Sequence, residues 1–341
     1  MIGKNQKDKI HNRIAIALGD PAGIGTEVTL KALGSLNLPK NMQPILIGCK
    51  QIIEKVYERL KEQGISSIAN PQKLLIENIP YQGEISLGEP NAKTGEASFF
   101  WLTRATQLVL EGKAKALVTG PISKYIWKAA GHNYPGQTER LGELVGGVPT
   151  SMLFTAKSPV NKWRLNTLLA TTHIPLNEVS KALTPDLIFS KLDTLLAFCK
   201  IFKPNPTIAI AGLNPHSGEN GHLGLEEIEW IIPTIQKWQK EHPSIILKGP
   251  ISPDTCWISS GKAWFNESTS DAPDGILALY HDQGLIPTKV LAFDKAVNTT
   301  LGLPFIRTSP DHGTGFDIAK KFIARPDSMI AALETAWELS I

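Results

Sequence analysis

A chain of 341 residues, 42% hydrophobic and 20% charged, is long enough to bury the cores of about two domains. Its formal net charge is +3, and its Lys and Arg residues are scattered, not blocked, which argues against a nucleic-acid partner. No apolar run approaches the roughly 20 residues that span a bilayer, the polar start MIGKNQKDKIHNR carries no apolar signal core, and Cys49, Cys199 and Cys256 form neither a metal pattern nor a disulfide framework. The expectation is a reduced, cytoplasmic, globular protein without a membrane or nucleic-acid partner.

In chain order, short β-rich apolar runs alternate with stretches of helical period, the pattern of a mostly parallel sheet covered on both faces. RIAIALG (13–19) leads into GTEVTLKALGSL, PILIGC into KQIIEKVYERLKEQG, and KALVTG into PISKYIWKAAG. SMLFTA and WRLNTLLATT read as adjacent strands, followed by the amphipathic PDLIFSKLDTLLAFCKIF, the strand TIAIAG and the helix LEEIEWIIPTIQKWQK. GILALY and TTLGLPFIRTS read as two further strands before C-terminal helices. The fold class is α/β, and two domains would require the chain to cross between them more than once.

Three histidines end strand-like runs: His173 after LLATT, His216 after TIAIAGLNP and His281 after GILALY. The carboxyl ends of parallel strands share one rim, where ligands bind, so these three can converge. Three imidazoles with coordination positions left open describe a catalytic metal site; each alone reads as a hydrogen-bonded loop residue. His11 and His242 read as solvated, whereas His132, His222 and His312 lie beside glycines and stay open as supporting groups.

GDPAGIGTE (Gly19 to Glu27) fits neither the GxGxxG nor the GxxxxGK[ST] spacing, so pattern alone makes it only a tight strand-to-helix turn. TSPDHGTGFDIAKK (308–321) is a second glycine turn opening a helix, whose amides can meet an anion. Lys289 and Arg307 follow apolar runs and can clamp a phosphate or carboxylate.

GDPAGIGTE, VTGPISK, YPGQTE, ATTHIPL, GLNPHSGENGHLGLEE, YHDQGLIPTK and VNTTLGLPFIRTSPDHGTG, in this order from about residue 13 to the C-terminus, resemble the 4-hydroxythreonine-4-phosphate dehydrogenase (PdxA) family of vitamin B6 (pyridoxine) biosynthesis. The resemblance implies two α/β/α domains of the isocitrate and isopropylmalate dehydrogenase type with the active site in the interdomain cleft. Its boundaries would be 1–135 plus 300–341 for the first domain and 136–299 for the second, the latter carrying metal ligands and dimer contacts. It implies a homodimer whose active sites are shared between subunits, and NAD- or NADP-dependent, divalent-metal-dependent oxidation of 4-phosphooxy-L-threonine to 2-amino-3-oxo-4-phosphooxybutanoate, which decarboxylates to 3-amino-2-oxopropyl phosphate. The metal would be zinc, magnesium or cobalt.

Carried over by position, the metal ligands fall on His173, His216 and His281, the three already chosen from strand ends. Substrate contacts fall on Gln137, Thr138, Lys289, Asn298 and Arg307. Cofactor contacts fall on Asp311, His312, Gly313 and Thr314, in the loop that resembles the adenosine-binding loop of the isopropylmalate enzymes. Gln137 departs from the histidine common in the family; an amide still hydrogen-bonds but cannot become cationic. Asp254 and Asp282 are the candidates for taking the substrate's proton, and Asn214, Glu219 and His222 for orienting the ligands. The alternatives are a dehydrogenase of another phosphorylated four-carbon hydroxy acid, phosphothreonate or phosphoerythronate, and, more remotely, a noncatalytic metal- or nucleotide-binding protein.

Overall fold

The computed structural model describes residues 12–341 apart from 38 and 40, so that His11 lies outside the described residues. The chain forms two compact units, one running up to Thr150 and resuming at Val297, the other comprising Ser151–Ala296. Both are α/β units, and none of the described helices is long and apolar enough to cross a membrane.

The first unit holds strands β1 (Arg13–Ala17), β2 (Gln43–Gly48), β3 (Leu75–Asn78), β4 (Ala116–Thr119), β10 (Val297–Leu301) and β11 (Ile306–Pro310), in the order β3-β2-β1-β4-β11-β10. β1, β2 and β4 are almost wholly buried, which is why they read as unbroken apolar runs: a strand covered on both faces has no solvent side to alternate with. β11 runs parallel to β4 and antiparallel to β10. The run TTLGLPFIRTS, read as one strand, is therefore two, broken at Gly302, whose φ of 93° reverses the chain in a region favouring glycine. The helix Gln137–Leu144, expected in the second domain, groups with this first unit: Leu141 is fully buried in its core, and the Arg140 guanidinium lies 4.7 Å from the Phe99 ring centre.

The second unit holds β5 (Ser151–Lys157), β6 (Arg164–Leu169), β7 (Thr207–Ala211), β8 (Ile246–Ile251) and β9 (Gly275–Ala278), in the order β5-β6-β9-β7-β8. β5 and β6 are antiparallel; β6, β9, β7 and β8 are parallel. β8 was not foreseen in the sequence: it is only partly buried and reads ILKGPI, without an apolar run. The helix Pro185–Lys200 starts as its sequence predicts, with Thr184 accepting from the amide of Leu187 and proline in the first turn.

Candidate functional site

In the second unit, β6, β9 and β7 are neighbours, and the chain leaves their carboxyl ends towards His173, His281 and His216 respectively. The rim is stitched by specific bonds. Thr171 donates its hydroxyl to the carbonyl of Leu279 at 2.7 Å, joining the loops that carry His173 and His281. Buried Gln283 accepts from the amide of Leu279 and donates to the carbonyl of Gly212, both at 2.7 Å, joining the start of the His281 helix to the start of the His216 loop.

The rings of His173 and His281 lie 5.4 Å apart, centre to centre. Two imidazoles sharing one ion at about 2.0–2.1 Å per bond would stand roughly 5 Å apart, so this pair fits a common divalent cation. His281 contacts Asp282 through Nδ1 at 2.7 Å, an arrangement that fixes the ring and directs Nε2 outward. His216 meets Glu219 through Nδ1 at 3.5 Å. Among the described residues no three His, Cys, Asp or Glu side chains of one chain gather closely enough to hold a metal ion. Asp254 is exposed; a hydrogen bond from Ser252 at 2.5 Å, and then one from its own backbone amide, hold its carboxyl below the usual range, so it is ionised at neutral pH. Lys289 lies half-buried on the helix His281–Ala292.

The loop that begins at His216 is unusual in its backbone. His216, Ser217, Gly218, Glu219 and Asn220 all have positive φ, from 42° to 79°. For each non-glycine residue the left-handed region costs about 1–2 kcal/mol, and such residues normally visit it singly. The glycines of the motif thus explain only part of the turn.

In the first unit the chemistry centres on Arg307, on β11, whose side chain is 3% exposed. Its guanidinium donates twice to the Thr119 hydroxyl (2.7 and 3.2 Å), once to that of Thr300 (3.0 Å) and once to Oε1 of Gln137 (3.1 Å). None of these partners is a carboxylate. Burial lowers its pKa to about 10, with Glu139 acting in the opposite sense. A buried cation is normally paired with an anion, and a fork of N–H donors suits phosphate or carboxylate. Register places Thr300 opposite Arg307 and Asn298 opposite Ser309 on β10, so Asn298, Thr300 and Arg307 face the same side of the sheet. Asn298 Oδ1 is buried without a partner among the described residues. Gln137 also donates to the carbonyl of Gly120 at 2.9 Å, so both ends of its amide are fixed. Thr138 follows it in the first turn of a helix whose start has no side-chain cap, leaving amides for an anion.

The two glycine turns meet: the amide of Ile24 donates to the carbonyl of Thr314 at 2.9 Å, and a Cβ on Gly23 would lie 2.6 Å from that same oxygen. His312 is held by its Nδ1 against the carbonyl of Gly313 at 2.9 Å, while its Nε2 is buried with no partner among the described residues. Asp311 donates its amide to Ser328, and Gly313 is exposed. Asp20, in the first turn, is 1% exposed; burial pushes its carboxyl up to about 6, against the lowering effect of bonds from the Ala22 amide and the Thr94 hydroxyl. Because the folded pKa lies above the unfolded value of 3.8, the stability this group contributes is complete below about pH 4 and lost as pH rises through about 6. Asp20→Asn should therefore gain on the unmodified protein by roughly 2–3 kcal/mol between pH 4 and pH 7. Denaturant unfolding at the two pH values measures this, and parallel curves would rule it out.

The family model described as "Pyridoxal phosphate biosynthetic protein PdxA" matches residues 40–336. The chain belongs to the PdxA family. A relative from Synechococcus sp. (strain RCC307), named 4-hydroxythreonine-4-phosphate dehydrogenase, is 55% identical over 96% of this chain and 99% of its own. The crystal structure of 4-hydroxythreonine-4-phosphate dehydrogenase from Klebsiella pneumoniae is 34% identical and superposes with a TM-score of 0.79 over 96% of this chain and 98% of that one. Isocitrate dehydrogenase from Methylococcus capsulatus, 14% identical, superposes with a TM-score of 0.50 over 96% of this chain and 85% of its own, a likeness of fold alone. Membership makes this chain a dehydrogenase of the pyridoxine pathway family. Sequence reasoning had not singled out Thr119, Thr300, Gln283 or Glu227. The first two read as ordinary strand threonines; Glu227 left a trace, since it shares the buried helical stripe with Ile231, Ile235 and Trp238.

Proposed function

We propose that this chain oxidises the C3 hydroxyl of 4-phosphooxy-L-threonine with NAD or NADP in the presence of a divalent cation, giving 2-amino-3-oxo-4-phosphooxybutanoate, which loses carbon dioxide to leave 3-amino-2-oxopropyl phosphate. The observation that carries this reading is Arg307: a fully buried guanidinium held by two threonines and a glutamine, with no carboxylate among its hydrogen-bond partners, in a chain of the PdxA family. Such a group is built for a ligand anion.

Arg307, with Gln137, Thr138 and Asn298, would hold the phosphate, and Lys289 a second anionic group. Asp311, His312, Gly313 and Thr314 would hold the dinucleotide, with the GDPAGIG turn braced against Thr314. His173, His216 and His281 would hold the cation; since one chain brings together only two of these rings, the set would be completed across a homodimer. The helix that begins with His281 offers a face for a second copy: Ile286, Val290 and Phe293 are 62%, 79% and 61% exposed at helical spacing. When bound, the cation (zinc, magnesium or cobalt) supplies Lewis acidity and the dinucleotide accepts the hydride. Asp282 is committed to His281, which leaves ionised Asp254 as the carboxylate suited to receive the hydroxyl proton. Gln137 faces Arg307 and so belongs to the phosphate end, which phosphothreonate and phosphoerythronate share with 4-phosphooxy-L-threonine.

The deciding experiment follows NADH formation from 4-phosphooxy-L-threonine, with phosphothreonate alongside, before and after chelation. Turnover should be fastest on 4-phosphooxy-L-threonine and vanish in the demetallated protein while its circular dichroism spectrum is retained. Full activity without metal would overturn the metal role, and preference for phosphothreonate would reassign the substrate.

A further inference from the structure

The left-handed turn that carries His216, Pro215–Gly221, has tight helical bonds of its own and is also held from outside. Its five positive-φ residues are followed by Gly221 and Gly224, also at positive φ; at its two ends Ser217 donates to the carbonyl of Asn214, His222 to that of Glu219 and Leu223 to that of Gly218. From outside, Ser217 Oγ donates to the carbonyl of Pro250 at 3.1 Å, and the following helical stretch fixes the entry to the turn.

Glu227 has a relative exposure of 0%, although it is a carboxylate. Its Oε1 accepts from the amides of Leu213 and Asn214, both at 2.8 Å, and its Oε2 accepts from the Asn214 side-chain amide at 2.8 Å. Neighbouring Glu226 takes the same Asn214 side-chain nitrogen at 2.7 Å. The two amides are the last before Pro215 and His216, so the carboxylate fixes the direction in which the chain enters the turn. It also fills the turn's inner side: a Cβ on Gly218 would lie 3.1 Å from Glu227 Oε2, and one on Gly224 would lie 2.3 Å from the Asn214 amide. The segment Glu227–Ile231 is a π-helix, leading directly into the helix Ile232–Glu241. Such bulges recur at functional sites, where they re-aim one side chain. Here the side chain turned inward is a carboxylate on a stripe otherwise occupied by Ile231, Ile235 and Trp238.

We infer that Glu227 is the positioning residue of the histidine site: its buried carboxylate, clasping the amides of Leu213 and Asn214, holds the left-handed turn in the one conformation that presents His216. The inference rests on the metal reading above for its consequence, but the clasp itself does not. A side chain with apolar neighbours on its stripe would gain nothing from being Glu, whereas two backbone N–H groups and an amide converging from one side require an acceptor-only group.

The test uses the full-length protein carrying Glu227→Gln, which keeps the shape and turns one acceptor into a donor, and Asn214→Ala, which removes the side-chain half of the clasp should the first variant fail to fold. Two readouts are needed. In metal-free protein, hydrogen exchange at the amides of Leu213, Asn214 and Leu223 should accelerate at least about tenfold while the amides of β6 and β9 stay within about twofold. Titration with Co(II), followed by its visible absorption, should show affinity reduced about 10- to 100-fold, the effect usual for losing a group that orients a metal ligand, with kcat reduced and the KM for dinucleotide unchanged. Exchange like that of the unmodified protein would overturn the clasp; faster exchange with Co(II) affinity within twofold would overturn its role towards His216. If the unmodified protein itself takes up no Co(II), the metal reading fails, and the exchange data alone still decide whether Glu227 locks the turn.

Discussion

Arg307→Ala is expected to raise the KM for the phosphorylated substrate about 10- to 150-fold while leaving that for the dinucleotide within about twofold. The range is the worth of a hydrogen bond to a charged group, about 1.5–3 kcal/mol, expressed as an equilibrium ratio. The asymmetry follows from position. Arg307 shares its face of the sheet with Asn298 and Thr300 and holds Gln137, whereas the dinucleotide is assigned to the loop at Asp311 to Thr314. Arg307→Lys should recover only part of the loss, because an ammonium cannot reach two threonine hydroxyls and a ligand oxygen with one planar fork. Steady-state kinetics on the three proteins settles it; equal effects on both constants would make Arg307 a structural residue. Stability should be followed too, since burial alone already opposes the charge that the site keeps.

The second large effect concerns a buried ion pair. Lys31 lies 2.6 Å from Glu27 on the helix Gly25–Ser35 and also donates to the carbonyls of Phe322 and Ala324, while Glu27 accepts from the Ala324 amide. The pair ties the helix behind the GDPAGIG turn to the segment that follows the DHGTG loop. Burial raises the Glu27 carboxyl above its ordinary range despite the bond from Lys31, so desolvation outweighs the attraction. Glu27→Ala should then cost about 3–5 kcal/mol by leaving Lys31 buried and unpaired, on the order of 10 °C in Tm. The double variant Glu27→Gln with Lys31→Met should lie far closer to the unmodified protein. Denaturant unfolding of Glu27→Gln, Lys31→Met and the double variant forms the cycle; a double variant as damaged as the sum of the singles would show that the two side chains are not coupled and would overturn the ion-pair reading.

These two sites differ in how far the sequence revealed them. The parallel core was legible because β1, β2 and β4 are buried on both faces and so read as unbroken apolar runs. The placement of the three histidines after neighbouring strand ends was legible, because β6, β9 and β7 stand side by side; of their rings, those of His173 and His281 approach to 5.4 Å within one chain. The left-handed turn was not legible, because four of its five residues are not glycine and nothing local favours the conformation. The clasp we infer for it is Glu227, at least seven residues further on, whose place on an apolar helical stripe marks it as buried but carries no sign of the backbone amides it binds. Arg307 was chosen as an anion clamp from its place after an apolar run, but its burial depends on β10 pairing antiparallel beside β11, which the run TTLGLPFIRTS concealed.

In the first unit, β11 lies between β4 and β10, yet β10 and β11 belong to the last part of the chain, after the whole of the second unit has been made. During synthesis the usual rule that the N-terminal domain folds first is thereby inverted. The continuous stretch Ser151–Ala296 leaves the ribosome complete and can close, while β1 to β4 wait with the β4 edge unpaired until the final 45 residues, 297 to 341, emerge. The buried cation enters with that last piece, so the cluster of Thr119, Gln137, Thr300 and Arg307 cannot assemble before β10 and β11 have been made.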